Sequence, residues 1–331
     1  MADLHQRRWA AWLLGLCLLA AAGASLGAAD EPLLTRIRMS TISTPDLAGS
    51  AALYEQALGY TSIETGRISA ALAGSWAAPK MEGRPYRLLQ SGALDDVYLR
   101  LVEISPVPAY RALTTRGWNA TEILVQDPDA IHARLLKSRF RHIGGPAFLG
   151  VSDTIRAVQF LGPAEEVFYF TADLGDARQS ILARAKSTVD RPFIMVLAGE
   201  DAAAISAFYQ RVFGTPEVMD FTVPIALIAR AQGLAEEQLY DLKLVNLARF
   251  SNSIEIDGYP SAPPRPAHED ELPPGIAIAS FEVSNLDALP ADLFIAAPVV
   301  FDSRAYAGRR ATTIRGPAGE LIELIAAAAE P

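Results

Sequence analysis

The same succession of hydrophobic and polar positions occurs four times along the chain. An alternating apolar stretch ends at an acidic or amide turn residue, a short amphipathic segment follows, and further strand-like runs come after it. The turn residue can accept hydrogen bonds from the free N–H groups of a first helical turn, and a glycine after the helix is typical of a left-handed cap. The pattern therefore predicts four modules of βαβββ type, covering residues 34–105, 116–172, 190–258 and 274–327.

Two internal repeats relate these modules to one another. Four positions recur at a constant offset of 155, namely Asp46 and Asp201, Leu53 and Phe208, Tyr54 and Tyr209, and Gly59 and Gly214. A Gly-Pro-Ala-x-Glu turn recurs at an offset of 154, at residues 162–166 and 316–320. The chain therefore divides into two similar halves, 34–186 and 187–331. Because a lone module leaves one face of its sheet uncovered, we expect the modules to pair within each half.

The first 29 residues have the order of an export signal. Arg7 and Arg8 precede an apolar run from Trp9 to Ala22, and small residues follow as far as Ala29. This pattern predicts a cleaved signal peptide and a periplasmic or secreted protein. The alternative is an uncleaved anchor, although the apolar run is shorter than the roughly 20 residues that a spanning helix needs. The only cysteine, Cys17, lies inside the run, so the mature chain would have neither a disulfide nor a cysteine nucleophile.

Composition narrows the classes of partner. Half of the 331 residues are hydrophobic, which is typical of a globular protein, and the formal charge is −9. Lysine and arginine form no long cluster, so the sequence does not indicate nucleic-acid binding. We expect a small-molecule partner, no membrane span after removal of the signal, and either a monomer or a homodimer.

A proline-rich stretch from Gly258 to Gly275 joins the third and fourth modules. Its composition fits a linker. A long loop inside a domain is also often functional, so the second interpretation is a lid across the cup of the second half.

Three motifs resemble those of the vicinal oxygen chelate superfamily, which includes glyoxalases, bleomycin-resistance proteins and extradiol dioxygenases. They run from Thr44 to Gly59, from Asp201 to Gly214 and from Gly316 to Leu324. The resemblance implies an α+β fold in which four βαβββ modules pair into two cupped, barrel-like mixed-sheet domains of the glyoxalase type. Each cup of such a fold can hold a metal ion and a small substrate.

The resemblance also implies where metal ligands would lie. One kind of ligand, usually His or Gln, is on the first strand of a module, seven residues before the turn; the other, usually Glu, is on the last strand. The first-strand positions here are Met39, Ala120, Ile194 and Ile278, and their inward neighbours are Thr41, Glu122, Val196 and Ser280. The last-strand positions are Glu103, Tyr169, Glu255 and Glu323. The usual histidines are therefore missing, and a two-histidine, one-carboxylate iron site cannot be assembled from these positions.

Glu255 and Glu323 are the principal catalytic candidates, because both are expected to face the cup of the second half. Three interpretations stay open for them. In the first interpretation, they form an altered carboxylate site for Mg, Mn or Fe, to which Glu103 is a further candidate ligand. In the second, they perform metal-free acid–base catalysis, since the proximity of two carboxylates in an apolar pocket raises the pKa of one of them. Alternatively, arginine or backbone donors satisfy them and they have no chemical role.

Three further residues are candidates for ligand binding. Tyr169 could donate a hydrogen bond to a ligand, or it is a core residue with a satisfied hydroxyl. Arg309 and Arg310 could hold an anionic group, or they form a solvated basic edge. Two functions are therefore predicted: an exported protein that binds a small, hydrophobic molecule without metal, and a lyase, isomerase or dioxygenase-like enzyme with an altered or absent metal site.

Overall fold

The computed structural model describes residues 31–149 and 152–328. The predicted signal peptide, residues 1–29, lies outside the described residues. In the rest of the chain the four predicted modules are found in the predicted order. None of the helices in the described ranges is both long and apolar enough to cross a membrane.

The first two modules supply eight strands and three α-helices. The first contains β1 (Leu34–Thr44), α1 (Leu47–Leu53) with a π-helical continuation (Tyr54–Leu58), β2 (Thr61–Arg67), α2 (Ala70–Ser75), β3 (Pro85–Gln90) and β4 (Tyr98–Glu103). The second contains β5 (Gly117–Val125), α3 (Pro128–Leu135), β6 (Arg141–Phe148), β7 (Ile155–Leu161) and β8 (Val167–Asp173).

The last two modules supply the other eight strands. The third contains β9 (Val189–Gly199), α4 (Ala202–Phe213), β10 (Glu217–Pro224), α5 (Ala226–Gln232), β11 (Leu239–Asn246) and β12 (Ser253–Gly258). The fourth contains β13 (Gly275–Val283), 3₁₀ turns at Leu286–Ala288 and Ala291–Leu293, β14 (Val299–Phe301), β15 (Arg309–Arg315) and β16 (Leu321–Ala326). In the place of the short helix that the repeated pattern predicts after the first strand, the fourth module has only these two 3₁₀ turns, because Pro290 lies between them and has no N–H to donate within a helix.

The predicted turn residues cap the segments that follow them. Asp46, Asp127 and Asp201 accept hydrogen bonds from backbone N–H groups of the next helix, and Asn285 does the same for the first 3₁₀ turn. Gly59 and Gly214 end their helices with φ angles of 75° and 68°. Only glycine adopts this left-handed conformation without strain, so the repeated Leu-Gly and Phe-Gly pairs are confirmed as helix ends.

The sixteen strands form two cupped mixed sheets of eight strands each, which confirms the predicted α+β architecture. Sheet one has the order β14-β15-β16-β13-β1-β4-β3-β2, and sheet two has the order β10-β11-β12-β9-β5-β8-β7-β6. In each sheet the first strands of two modules pair antiparallel at the centre, β1 with β13 and β5 with β9. We call the concave faces of sheets one and two the first cup and the second cup.

The expected pairing within each half is wrong. Sheet one combines the first and fourth modules, and sheet two combines the second and third, so each sheet contains strands from both 34–186 and 187–331. The proline-rich stretch from residue 258 to 275 carries the chain from sheet two back to sheet one. Arg265 in this stretch donates to the carbonyl oxygens of Trp118 (2.6 Å) and Ile276 (2.7 Å), which holds the crossover in place.

The two sheets share one large core through the faces opposite their cups. It contains alternate residues of the central strands, including Leu99, Leu101, Phe168 and Met195. At its centre the Ser40 and Thr121 hydroxyl groups of β1 and β5 lie 2.8 Å apart.

The repeated tyrosines connect the two modules of each sequence half across this core. Tyr54 donates to Glu166, and Tyr209 donates to Glu320 at 3.2 Å. Both glutamates end the repeated Gly-Pro-Ala-x-Glu turn and also accept from a backbone N–H of that turn. The halves seen in the sequence are therefore linked by side chains, whereas the sheets are formed between halves.

Candidate functional site

Each cup has four equivalent positions at its centre, one on each of its four central strands. In sheet one the parallel register places Thr41 beside Arg100 and Ser280 beside Glu323. In sheet two it places Glu122 beside Tyr169 and Val196 beside Glu255. Since strand residues alternate between faces, the neighbours two positions away point into the same cup.

This register corrects two expectations about the glutamates. Glu255 lies on β12 in sheet two and Glu323 on β16 in sheet one, so they do not share a cup. Glu103 lies opposite Thr44 at the end of β4, on the same side of the strand as Leu99 and Leu101, which belong to the core between the sheets. The position in β4 that corresponds to Glu323 is Arg100, three residues earlier.

In the first cup, Glu323 is surrounded by donors. Its Oε1 accepts from the Trp76 indole at 3.0 Å and the Tyr306 hydroxyl at 2.8 Å, and its Oε2 accepts from Ser280 at 2.6 Å. Arg100 lies 3.2 Å from Oε2 and completes a buried ion pair. Only 2% of the Arg100 side chain and 1% of the Glu323 side chain are exposed, so solvent does not screen their attraction.

Arg100 is held from several directions as well. Its Nε donates to Thr41 at 3.0 Å, one terminal nitrogen donates to Tyr306 at 2.5 Å, and the guanidinium carbon lies 4.7 Å from the centre of the Trp76 ring. Burial alone would lower the pKa of Arg100, but the nearby Glu323 and Tyr306 keep this pKa above its ordinary value. A cavity of about 200 Å³ lies against the outer side of this network, lined by Arg67, Tyr86 and Leu72 among others. The centre of the first cup is thus filled by its own side chains.

The second cup carries three buried carboxylates instead. Glu122, Glu255 and Asp257 are 5%, 2% and 1% exposed. Thr171 donates to Glu122 at 3.1 Å. Glu255 Oε2, Asp257 Oδ1 and the Tyr259 hydroxyl are buried without a hydrogen-bond partner in the described part of the chain. Sequence reasoning missed Asp257, although the alternation Ile254-Glu255-Ile256-Asp257 places it on the face of Glu255.

Burial and mutual repulsion dominate the titration of this cluster. Burial raises the pKa of Glu122 to about 7, and burial together with the charge of Glu122 raises the pKa of Asp257 to about 7. Burial, with Asp257 and Glu122 nearby, raises the pKa of Glu255 well above its usual value. Three carboxylates that cannot ionise independently resemble the arrangement with which enzymes share and transfer protons near neutral pH.

A groove leads from the surface to these carboxylates. Its outer part is a cavity of about 510 Å³ whose mouth carries the exposed apolar side chains of Val218 and Phe250. Its inner part is a chamber of about 40 Å³ with Glu122 and Glu255 in its wall. The two spaces have five lining residues in common, which are Ile181, Leu182, Phe193, Ile194 and Leu244. Glu122 and Glu255 therefore lie at the inner end of a groove whose two parts share an apolar wall.

The residues of neither cup fit a divalent metal ion. In the first cup the only carboxylate at the four central positions is neutralised by Arg100. In the second, and elsewhere in residues 31–149 and 152–328, no group of three or more His, Cys, Asp or Glu side chains is arranged to hold a metal. A site for Mg, Mn or Fe needs several such oxygen or nitrogen ligands around one point.

The remaining candidates lie in two places. Tyr169 is buried in the second cup, where burial and the charges of Asp257, Glu255 and Glu122 raise its pKa well above 10. Arg309, on β15 of sheet one, pairs with Glu282 at 3.1 Å. Arg310 pairs with Asp287 at 2.5 Å at the exposed edge of the same sheet.

Comparison with solved structures identifies the class of fold. The chain superimposes on glyoxalase I from Zea mays with a TM-score of 0.58 and 11% identity, covering 88% of this chain and 92% of the maize chain. It superimposes on a proposed dioxygenase from Bacillus subtilis with a TM-score of 0.57 and 12% identity, covering 89% and 86% of the two chains. No protein-family model and no curated protein sequence matches it. The chain has the fold of the vicinal oxygen chelate proteins, and the resemblance seen in its motifs is confirmed at the level of fold.

Proposed function

We propose that this protein binds a small, largely apolar molecule in the second cup without the help of a metal ion. The observation that carries the proposal is the apolar groove that ends at Glu122 and Glu255. Its outer part, of about 510 Å³, falls within the range of roughly 300–1,000 Å³ usual for ligand pockets. Ligand sites of this kind combine a mainly apolar wall with a few polar groups, which is the composition of the inner chamber, and the outer part adds polar side chains such as Arg249 and Asn246.

The first cup supports the proposal by contrast. The same fold position there is closed by the Arg100–Glu323 pair, and binding at that point would require breaking a buried ion pair. The second cup keeps buried oxygen atoms without partners, and such atoms are stabilised when a ligand donates hydrogen bonds to them.

Titration with the neutral, apolar dye N-phenyl-1-naphthylamine tests this function. We expect saturable fluorescence enhancement, and we expect Leu182→Arg to weaken it about tenfold or more, because a charged side chain would enter the apolar groove. Leu94→Arg is the matched control, since Leu94 is 76% exposed and lies outside the groove. Equal binding by wild type and Leu182→Arg, or no binding at all, would contradict the proposal. So would one tightly bound Fe, Zn, Ni or Mn per purified chain.

A second candidate function is metal-free acid–base catalysis by the same carboxylates, as a lyase or isomerase. It is favoured by the placement of Glu122, whose pKa is about 7, next to an unpartnered Glu255 in one chamber. Turnover of candidate substrates in the presence of chelator should then be lost in Glu255→Gln while the dye still binds. If wild type has no turnover, only the binding function stands.

We also propose that residues 1–29 direct export and are removed. The basic, apolar and small-residue order of this segment supports the proposal. Fusion of these residues to a reporter that is active only outside the cytoplasm, with N-terminal sequencing of the product, tests it. A full-length, cytoplasmic product would contradict it.

A further inference from the structure

We infer that the molecule held by the second cup carries a cationic amine at one end, and that this ammonium group lies against Glu122 and Glu255. The inference rests on the proposed binding function and adds the chemical class of the ligand. It is based on the charge of the chamber, its unpartnered oxygens and the shape of the path that leads to them.

The charge in the cup is uncompensated. Glu122, Glu255 and Asp257 are buried there, and no lysine or arginine of the described ranges forms an ion pair with any of them. Strand β11, which pairs with the strand of Glu255 and Asp257, contains one basic residue, Lys243. Its neighbour Leu244 lies directly opposite Glu255. Lys243 points to the opposite face, where it pairs with Asp220 at 2.8 Å and Glu217 at 3.5 Å. In the described ranges the cluster therefore has no cationic side chain of the protein as a partner, and the cation that would pair with its ionised form is one that a ligand brings.

The hydrogen-bonding capacity of the cluster also matches an ammonium group. Glu255 lies in the chamber wall, and its Oε2 accepts no hydrogen bond from the described part of the protein. Asp257, on the same face of the strand, has an Oδ1 that likewise accepts none. An ammonium group offers three donors and no acceptor, so it can satisfy several carboxylate oxygens at once. A hydroxyl or amide group would satisfy fewer of them, and a carboxylate would be repelled by the ionised members of the cluster.

In the first cup a side chain of the protein already pairs a cation with the buried glutamate. In each cup one last-strand position carries a glutamate, Glu323 or Glu255, and the position across from it carries Arg100 in the first cup and Tyr169 in the second. Arg100 supplies the positive charge internally, stacked on Trp76. In the second cup this position has no charge, so the amine of a ligand would take the part that Arg100 takes in the first.

The dimensions of the groove define the rest of the ligand. The chamber of about 40 Å³ is large enough for an ammonium group with one or two carbon atoms, since a single water needs about 10–15 Å³ on this measure. The residues that the chamber shares with the outer groove, such as Phe193, Ile194 and Leu244, are apolar and suit an alkyl or aromatic body, whereas polar side chains, among them Arg249 and Asn246, line only the outer groove. The expected class is therefore an amphipathic primary amine and not a polar or multiply charged compound.

Isothermal titration with three ligands of equal chain length tests the inference: octylamine, 1-octanol and octanoate at pH 8. We expect octylamine to bind about tenfold or more tighter than 1-octanol, because a hydrogen bond to a charged group contributes more than a neutral one, and octanoate to bind least. Glu122→Gln and Glu255→Gln should each lower the ratio of octylamine affinity to 1-octanol affinity from about tenfold toward one, because each removes a carboxylate from the chamber wall. Glu236→Gln, an exposed carboxylate paired with Arg230, is the control and should change neither.

The outcomes separate this inference from the function on which it rests. Equal affinity for octylamine and 1-octanol would overturn the inference and leave the binding function standing. Retention of the amine preference in both glutamine variants, with circular dichroism showing an intact fold, would also overturn it. Binding of neither alkyl ligand nor the neutral dye would overturn the binding function itself. Tight binding of Mn²⁺ that excludes octylamine would replace the amine by a metal ion.

Discussion

The two cups are built from equivalent strands, yet they treat a buried glutamate in opposite ways. In the first cup Glu323 accepts hydrogen bonds from three side chains and pairs with Arg100. In the second cup the equivalent Glu255 has a buried oxygen without a donor and two further carboxylates nearby. The difference shows that one repeated scaffold can produce a closed ionic core in one sheet and an open acidic chamber in the other. The decisive change is the residue opposite the glutamate, Arg100 in one cup and Tyr169 in the other.

The largest expected effect comes from breaking the closed cup. Arg100→Met should lower the free energy of unfolding by about 3–5 kcal/mol, because it leaves Glu323 buried without its cation. Urea denaturation followed by circular dichroism measures this loss. The double variant Arg100→Met, Glu323→Met should recover most of it, since two apolar residues leave no charge unpaired. A loss below about 1 kcal/mol in the single variant would remove the contrast between the cups.

The open cup predicts a particular dependence of stability on pH. The pKa of Glu122 is about 7 in the folded protein and near 4.5 otherwise, so the folded state binds the extra proton between these values. The free energy of unfolding should therefore fall as pH rises from about 4.5 to about 7, by up to about 3 kcal/mol for this group, and then level off. The titratable groups that interact with Glu122 are Tyr169, Glu255 and Asp257.

Comparison with Glu122→Gln isolates this contribution. Glu166 and Glu320, whose pKa values burial also raises to about 7, impose a slope of the same sign on both proteins. The difference between wild type and variant should begin near pH 4.5 and include a contribution from Asp257 and Glu255, whose pKa values fall when the charge of Glu122 is removed. Parallel stability curves would show that Glu122 titrates normally and that its chamber is wet.

A smaller effect of opposite sign is expected from Glu255→Gln. Removal of one of three buried carboxylates should stabilise the protein by about 1–2 kcal/mol at pH 8, where their repulsion is largest, and change little at pH 5. Thermal unfolding at the two pH values measures the difference. Destabilisation at pH 8 would indicate that Glu255 has a partner and that the second cup is closed like the first.

The smallest effect concerns the edge of sheet one. Arg310→Ala should change stability by no more than about 0.5 kcal/mol, because its pair with Asp287 is exposed. It should also leave dye affinity unchanged, since Arg310 lies in the sheet that does not carry the groove. Loss of dye binding in this variant would place the ligand in the first cup and reverse the comparison.

Local patterns in the sequence were sufficient for much of the fold. The capping residues Asp46, Asp127 and Asp201, the terminal Gly59 and Gly214, and the repeat offsets all depend on contacts within one module or on the likeness of two modules. The site was predicted less well. Glu255 was named from the family resemblance, and Glu122 was named only as an inward neighbour of a first-strand position and not as a site residue. Glu103 was chosen in place of Arg100, because the register of β4 against β1 was not known from the sequence. A shift of one or three residues moves a side chain to the other face of a sheet.

The sequence by itself determined the four modules, their capping residues and the presence of acidic residues on inward strand faces, because these follow from periodicity and local hydrogen bonding. Only the tertiary structure decided that the first module pairs with the fourth and the second with the third, and that Glu323 has a cation while Glu255 has none. The repeat makes all four first strands equivalent, so it does not specify which two pair. That choice depends on contacts between residues more than 200 positions apart, such as those of β1 with β13.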